Sequence, residues 1–390
     1  MPKPAGAATA AVVTATGVPA PAVAAPIKPP EIAAKSYFLL DVSSNQVLAD
    51  HNADVRADPA SLTKLMTAYV VFDALKQKKI SLDQRLPVSQ KAWDERKYGS
   101  SLMFIDPKMT PTVDQLLSGL IIQSGNDAAV ALAEGVAGST DVFVQMMNAQ
   151  AKAWGLANTQ FANPTGLTQE GHYSSARDIA TIATRIIRDF PEYYHYYSTR
   201  EYTFNNIKQP NRNQLLYRDP TVDGMKTGYT SAAGYCLVAT AKRALPNGNR
   251  RVMSVVMGTA SMAARANEAQ KLLNWGYQAF DFVRLFDKDA TISVAPVWQG
   301  KDSEVSLRTR GGYPVYVSVP RGEAQKLKSG IERLDPLVAP LAKDQKVGLL
   351  KVTTASGAPV AQFDLVTSNP VEQAGLFGRL WDSLRMRLKW

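Results

Sequence analysis

The chain has 390 residues, 45% of them hydrophobic and 20% charged, with a formal net charge of +10. That is a globular composition, long enough for two domains, and its positive excess favours polyanionic partners (nucleic acid, anionic lipid or cell-wall polymer) without choosing among them. The single cysteine, Cys236, excludes an intramolecular disulfide and a cysteine-built metal site, and His51, His172 and His195 show no metal-ligand spacing, so no metal and no cofactor are expected. No apolar run is long enough to span a bilayer.

Residues 1–34 are rich in Ala, Val and Pro and read as a poor signal peptide running into a proline-rich linker; a misplaced start codon or plain disorder are the alternatives. From Lys35 the texture changes. "SYFLLDVSSNQVLAD" predicts a hairpin turning near Ser43–Asn45. A helix is predicted next, with Asp58 as N-cap and Pro59 at its first position, and apolar residues from Leu62 to Leu75 on nearly every side. A polar loop (Trp93–Lys108) precedes "TVDQLLSGLIIQSGNDAAVALAEGVAG", a helical block interrupted near Ser124-Gly125-Asn126, and then the helix "DVFVQMMNAQAKAWG". After the loop "NPTGLTQEGHYSS", Ser175 is placed to cap "ARDIATIATRIIRDF". "GYCLVATAKRA" and "RVMSVVMGTA" predict a second hairpin with Asn-Gly at its tip, and "ARANEAQKLLNWGYQAFDFV" a closing helix. Strands at both ends with helices between imply an α/β unit over 35–286, one mixed sheet covered by helices. Over 287–370 short alternating runs divided by Gly, Pro and Asp predict a smaller all-β domain. Residues 371–390 end in an amphipathic helix.

Ser61 and Lys64 stand three apart, so they are neighbours on one helical turn. A lysine among apolar groups loses hydration and its pKa falls; a neutral amine beside a hydroxyl can take its proton and make serine a nucleophile. By itself the pair more readily fits a capping serine and a snorkelling lysine. It gains partners, however. Ser124-Gly125-Asn126 sits at a helix break, where side chains reach a cleft, and Lys226-Thr227-Gly228 precedes the strand hairpin. Ser43-Ser44-Asn45 repeats the Ser-x-Asn spacing but lies in a turn and reads as a decoy. Ser-x-x-Lys, Ser-x-Asn and Lys-Thr-Gly in this order form the signature of penicillin-recognising serine acyl-transferases.

"ADVRADPASLTKLMTAYV", "SSLMFIDP", "IIQSGNDAAVALAE", "GHYSSARDIA" and "VDGMKTGYTSAAGYCLVA" resemble the serine-type D-alanyl-D-alanine carboxypeptidases, the low-molecular-mass penicillin-binding proteins of bacterial cell walls. The similarity covers residues about 36–390. It implies a nucleophile at Ser61, its base at Lys64, a second active-site serine at Ser124 with Asn126 as partner, and substrate binding by Lys226, Thr227, Gly228 and Arg265. The implied partners are peptidoglycan pentapeptide and β-lactam antibiotics; nucleic acid, suggested by charge alone, is not expected, since no recognised motif is present and the positive residues are dispersed. Family members commonly carry histidine after Lys-Thr-Gly; Tyr229 stands here and cannot be cationic. A class A β-lactamase shares the motifs but needs a Glu-x-x-x-Asn loop, and Glu170 is followed by Gly171 and His172 with no such asparagine. A penicillin-binding sensor without turnover is the non-enzymatic alternative. In the tail, Leu376, Phe377, Leu380, Trp381, Leu384 and Leu388 fall within an arc of about 140°. Four basic residues, Arg379, Arg385, Arg387 and Lys389, accompany one acid, Asp382. That pattern predicts a helix lying on anionic lipid at the outer face of the cytoplasmic membrane, with the protein in the periplasm.

Overall fold

The computed structural model describes residues 27–387. The predicted export signal and most of the proline-rich linker, the Arg387 side chain, and Leu388, Lys389 and Trp390 of the tail lie outside what it describes. Strands β1 (Ser36–Asp41) and β2 (Gln46–His51) form the opening hairpin, turning through Asn45 at a φ of 58°. Helices α1 (Lys64–Lys76), α2 (Gln90–Asp94), α3 (Val113–Ser118), α4 (Asn126–Ala137), α5 (Thr140–Ala153), α6 (Ala176–Asp189) and the short α7 (His195–Ser198) follow. Next come a small hairpin, β3 (Glu201–Phe204) and β4 (Ile207–Pro210), and the short helix α8 (Leu215–Arg218). Then β5 (Val222–Thr230), β6 (Gly234–Leu245) and β7 (Gly248–Thr259) lead into α9 (Met262–Ala279).

The main sheet runs β2-β1-β7-β6-β5, so the N-terminal hairpin pairs with strands two hundred residues away, Leu39 opposite Ser254. It is the expected helix-covered sheet of sequence-distant strands, but its strand directions are not mixed. Every pair is antiparallel, because β5, β6 and β7 are linked by short reversals and β1 docks against β7 in the opposite sense. Both faces are buried. Cys236 and Val238 of β6 join the core under α1, α4 and α6, while Leu237, Ala239 and Ala241 join the core under α9. The period of two thus reads as a continuous apolar run rather than an alternation.

Three local predictions change. The helix expected from Asp58 begins as a 3-10 turn, Ala60–Thr63, and only Lys64 onward is α-helical. Asp58 Oδ1 still accepts a backbone N–H, from Ala60 at 2.9 Å, holding Ala60 at a φ of 47°. The helix expected to reach Val283 stops at Ala279. Phe280–Phe286 is strand β8, pairing antiparallel with β11 (Val315–Pro320), because Phe280 and Phe282 fill cores as alternating positions of a strand. The β3–β4 hairpin is an addition to the elements expected from the sequence. Asn205 and Asn206, with φ of 49° and 60°, supply the two left-handed positions its tight turn needs.

Strands β9 (Ser293–Trp298), β10 (Glu304–Thr309), β12 (Lys328–Arg333), β13 (Leu337–Val338), β14 (Lys346–Thr353) and β15 (Pro359–Thr367) make the second sheet, ordered β12-β14-β15-β10-β9-β13. A buried ion pair joins the two units. Arg250 donates to Asp41 Oδ2 at 2.7 Å and to Ser318 Oγ at 3.1 Å, and Gln46 bonds the backbone of Ser318 and Val360. Helix α10 (Leu376–Arg387) closes the described chain. No described helix is long and apolar enough to cross a membrane.

Candidate active site

Ser61 rides on the 3-10 turn and Lys64 opens α1, so the change of helix type sits between them. Lys64 is 1% exposed, and its Nζ donates to Ser61 Oγ at 3.1 Å, to Asn126 Oδ1 at 2.6 Å and to the carbonyl of Thr165. Burial pushes the amine down to about 7, and Arg212 adds to that fall, while Glu95 and Asp127 oppose it. An amine near neutrality with two hydrogens committed to carbonyl oxygens turns its remaining position, a lone pair when neutral, toward Ser61.

The helix break also has a local cause. After α3 the chain widens into a π turn, Gly119–Gln123, and Ser124 follows at a φ of 70°. Gly119 is needed there, since a Cβ would stand 2.3 Å from Met103 Sδ. The break drops Ser124 and Asn126 into the cleft. Asn126 N donates to Ser101 O at 2.8 Å, and the buried Asp127 carboxylate accepts the N–H groups of Met103, Phe104 and Ile105. Ser124 is 2% exposed and its Oγ has no hydrogen-bond partner among the described residues, leaving a hydroxyl open to a ligand.

Strand β5 forms the opposite wall. Gly228 lies so close to the Ser61 turn that a Cβ would meet Pro59 O and Ser61 N at 3.2 Å. Thr227 and Gly228 line the cleft together with Ser61, Ser124, Asn126 and Arg265, around a volume of about 670 Å³. Arg265, from α9, donates to Gly228 O at 3.1 Å. Lys226 lies behind this wall, 2% exposed, donating to Thr227 O at 3.1 Å. Burial drives its pKa well down, and the nearby cations Lys64, Arg212 and Arg265 push the same way. Arg212 and Arg265 line the cleft and none of the described acidic side chains does, a setting for an anion. Tyr229 stands at the rim, 53% exposed, its ring stacked on Tyr235 with centroids 4.2 Å apart.

Other sequence-level candidates fall elsewhere. Ser43 and Ser44 give their N–H groups to Asp41 Oδ1 in the first hairpin, away from the cleft. Glu170 is exposed in its turn and does not line the cleft. Cys236 is buried, its thiol pushed up to about 11 by burial, a packed side chain rather than a nucleophile. Among the described residues no cluster of three or more His, Cys, Asp or Glu could hold a metal ion.

Sequence reasoning missed four contributors. Thr165 takes part through its carbonyl, which residue type cannot reveal; the Asn163 side chain fixes it by accepting from Thr165 N and Gly166 N. His172 donates or accepts at Thr63 Oγ1 over 2.8 Å, while its Nδ1 accepts from Ala162 N. Burial lowers its pKa to about 4, so it is neutral, with Nδ1 the acceptor and Nε2 the donor. Arg212 donates to Ser101 Oγ at 2.6 Å and lines the cleft from the loop after β4, a residue with no motif around it. Glu95, a buried side chain whose charge opposes the fall of the Lys64 pKa, is the fourth.

The family model described as D-alanyl-D-alanine carboxypeptidase matches residues 23–261, and that described as penicillin-binding protein 5, C-terminal domain, matches residues 280–373. The chain is 44% identical over 366 residues to the D-alanyl-D-alanine carboxypeptidase DacC of Escherichia coli K12, covering 93% of this chain and 90% of that protein. It is 42% identical to DacA of Haemophilus influenzae, with 93% and 91% covered. The crystal structure of penicillin-binding protein 5 from Haemophilus influenzae superposes with a TM-score of 0.82 at 42% identity, over 89% of this chain and all of that one. Penicillin-binding protein 6B of Escherichia coli gives 0.71 at 36% identity, with 89% and 99% covered. The three motifs brought together in one cleft, and two family matches that cover both units of the chain, make it a member of the D-alanyl-D-alanine carboxypeptidase family.

Proposed function

We propose that the protein removes the terminal D-alanine from peptidoglycan pentapeptide stems through an acyl-enzyme on Ser61, and that β-lactams acylate the same serine. The observation that carries this reading is the Lys64 amine, buried, lowered to about 7 and turned toward Ser61 Oγ. Lys64 takes the Ser61 proton as Oγ bonds to the carbonyl carbon between the two D-alanines. The developing oxyanion faces backbone N–H groups of the Ser61 turn and of β5, which Gly228 allows to lie side by side. The C–N bond breaks and D-alanine leaves with a proton passed through the unpartnered Ser124 hydroxyl. Lys226 and Thr227, with Arg265 on the same wall, favour the substrate's terminal carboxylate. Water then hydrolyses the ester; a β-lactam ester hydrolyses slowly.

The proposed place of action is the periplasm, with the catalytic unit from Lys35 onward held near the wall, the β-rich unit as spacer and the tail, 371–390, on anionic lipid. Support comes from how α10 docks. It turns its polar side to the β-rich unit: Asp382 Oδ2 accepts from Gln299 N at 2.7 Å, Ser383 Oγ accepts from Gln299 Nε2 at 2.9 Å, and Arg385 lies over Trp298. Leu376, Phe377, Leu380, Trp381 and Leu384 are left 52–91% exposed. An apolar stripe facing outward on a helix that already has its polar contacts suits an interfacial helix.

The deciding experiment is mass spectrometry of pentapeptide muropeptides before and after incubation with purified protein, expected to show loss of one D-alanine. Labelled penicillin is expected to attach stoichiometrically at Ser61, and Ser61→Ala to lose both labelling and D-alanine release. Labelling that survives in Ser61→Ala defeats the assignment.

A further inference from the structure

Tyr229 is more than half exposed on the wall of the cleft, and the chemistry above gives its ring no task. It lies near the end of β5, an edge strand of the main sheet. Its register partner on β6 is Tyr235, and the two rings stack with centroids 4.2 Å apart and planes 30° from parallel. Tyr235 is in turn 5.7 Å from the guanidinium of the buried Arg265, within cation–π range. A ring stacked on a ring that a buried cation holds is fixed in place, and its exposed face is a preformed, flat apolar surface. Met262, the half-exposed first residue of α9, lines the cleft with these three side chains.

The register along β5 decides what meets this surface. Side chains alternate along a strand, so Thr227 and Tyr229 project to the same side with Gly228 between them. Gly228 is the residue pressed against the Ser61 turn, where a Cβ would stand 3.2 Å from Ser61 N. With the substrate's terminal carboxylate at Thr227, the scissile carbonyl carbon lies three bonds back. That is one residue step of extended chain, about 3.3 Å, and it brings this carbon level with Gly228 and Ser61. One further step reaches Tyr229, and the group that arrives there is the acyl group on the nitrogen of the penultimate D-alanine. In a stem peptide this group is the preceding residue; in a penicillin it is the acylamino substituent. We propose that Tyr229, seated on Tyr235, is a specificity-determining residue that packs against the apolar part of this acyl group. The ring adds contact area and no charge, so it favours acyl groups with an apolar body over small ones. This rests on the Ser61 and Thr227 roles proposed above.

The test compares phenylacetyl penicillin with 6-aminopenicillanic acid, which has the same nucleus and no acyl group. The second-order rate of acylation by each is measured on the full chain by intact-protein mass spectrometry. In Tyr229→Ala the phenylacetyl rate is expected to fall about two- to tenfold, the scale of one aromatic contact, with the 6-aminopenicillanate rate within about 1.5-fold of the parent. Tyr229→Phe keeps the ring and its stack, and is expected to keep the parental ratio of the two rates. Peptides give a second reading. The kcat/KM advantage of N-acetyl-norleucyl-D-Ala-D-Ala over N-acetyl-D-Ala-D-Ala is expected to shrink in Tyr229→Ala by a similar factor. Equal losses within either pair of probes, an unmoved ratio in Tyr229→Ala or a lost ratio in Tyr229→Phe overturns the inference. A Tyr229→Ala chain that fails to fold overturns it as well and marks a structural ring. Ser61→Ala runs alongside: acylation that persists there defeats the reading of Ser61, whereas Ser61-dependent acylation with an unmoved ratio defeats Tyr229 alone.

Discussion

Lys64 has three acceptors within reach and, once neutral, only two protons to give them. The carbonyls of Asn126 and Thr165 cannot donate, so the lone pair is left for Ser61. Because burial lowers this amine to about 7, the sign of its pH dependence is fixed. Below that pH the ammonium has no lone pair; above it the base is ready. Acylation by a chromogenic penicillin is expected to fall tenfold per unit below about pH 7 and to level off above, and a rate that is flat from pH 5 to 8 contradicts Lys64 as base. Lys226 is a different kind of lysine. It sits behind the cleft wall among Lys64, Arg212 and Arg265, so a carboxylate entering the cleft relieves mutual repulsion. Lys226→Ala is expected to slow pentapeptide cleavage about ten- to a hundred-fold, the range for losing a charge-assisted partner. A C-terminally amidated pentapeptide is expected to be poor for the parent and to lose little more in the variant. Equal cleavage of acid and amide by the parent defeats that role.

The elements that carry these side chains are held by glycines and short turns. The 3-10 turn bearing Ser61 is pressed between β5 and the loop of residues 163–168. Gly166 has a φ of +87°, and a Cβ there would stand 1.9 Å from Ala60 O, a backbone atom that cannot swing aside. Gly166→Ala is therefore expected to lower stability by about 1–3 kcal/mol, the usual cost of a residue forced into such backbone. It should also pull the neighbouring Thr165 carbonyl off Lys64. Thermal unfolding reads the first effect and the penicillin acylation rate the second. A variant with parental acylation rate shows that the loop does not hold Lys64. Helix α1 can be apolar on all sides because α4, α5 and α6 surround it; Leu65, Met66, Val71 and Phe72 are fully buried.

On the scale of the whole molecule, Asp41, Arg250 and Ser318 tie the catalytic sheet to the β-rich unit through a pair 0–1% exposed. Removing one member of such a pair costs about 3–5 kcal/mol because the other charge is left buried and alone. Phe280 and Phe282 add apolar contact beside it, and the Phe282 ring stacks on Tyr316. Deleting Gly375–Trp390 is expected to abolish co-sedimentation with vesicles of anionic phospholipid while leaving pentapeptide turnover within about twofold. A truncated protein that still sediments places the anchor elsewhere, and the N-terminal apolar stretch becomes the candidate.

The sequence by itself determined which residues are the candidates for the chemistry and the order of most elements. Ser-x-x-Lys is dictated by helix spacing, Lys-Thr-Gly by the need for a close strand, and Ser175 by capping, where it accepts from Asp178 N as its residue type suggests. These are local rules that act within a few residues. What only the tertiary structure decided are the groups that act through position. Thr165 contributes a carbonyl that every residue owns, and Arg212 comes from a loop whose neighbours give no periodic signal. Glu95 becomes informative only once the fold buries it near Lys64. Ser124 and Lys226 were legible as types, but the free hydroxyl of the one and the recessed seat of the other depend on chain segments a hundred residues away. Burial and long-range contact set charge state and orientation, and neither is written in the spacing of a motif.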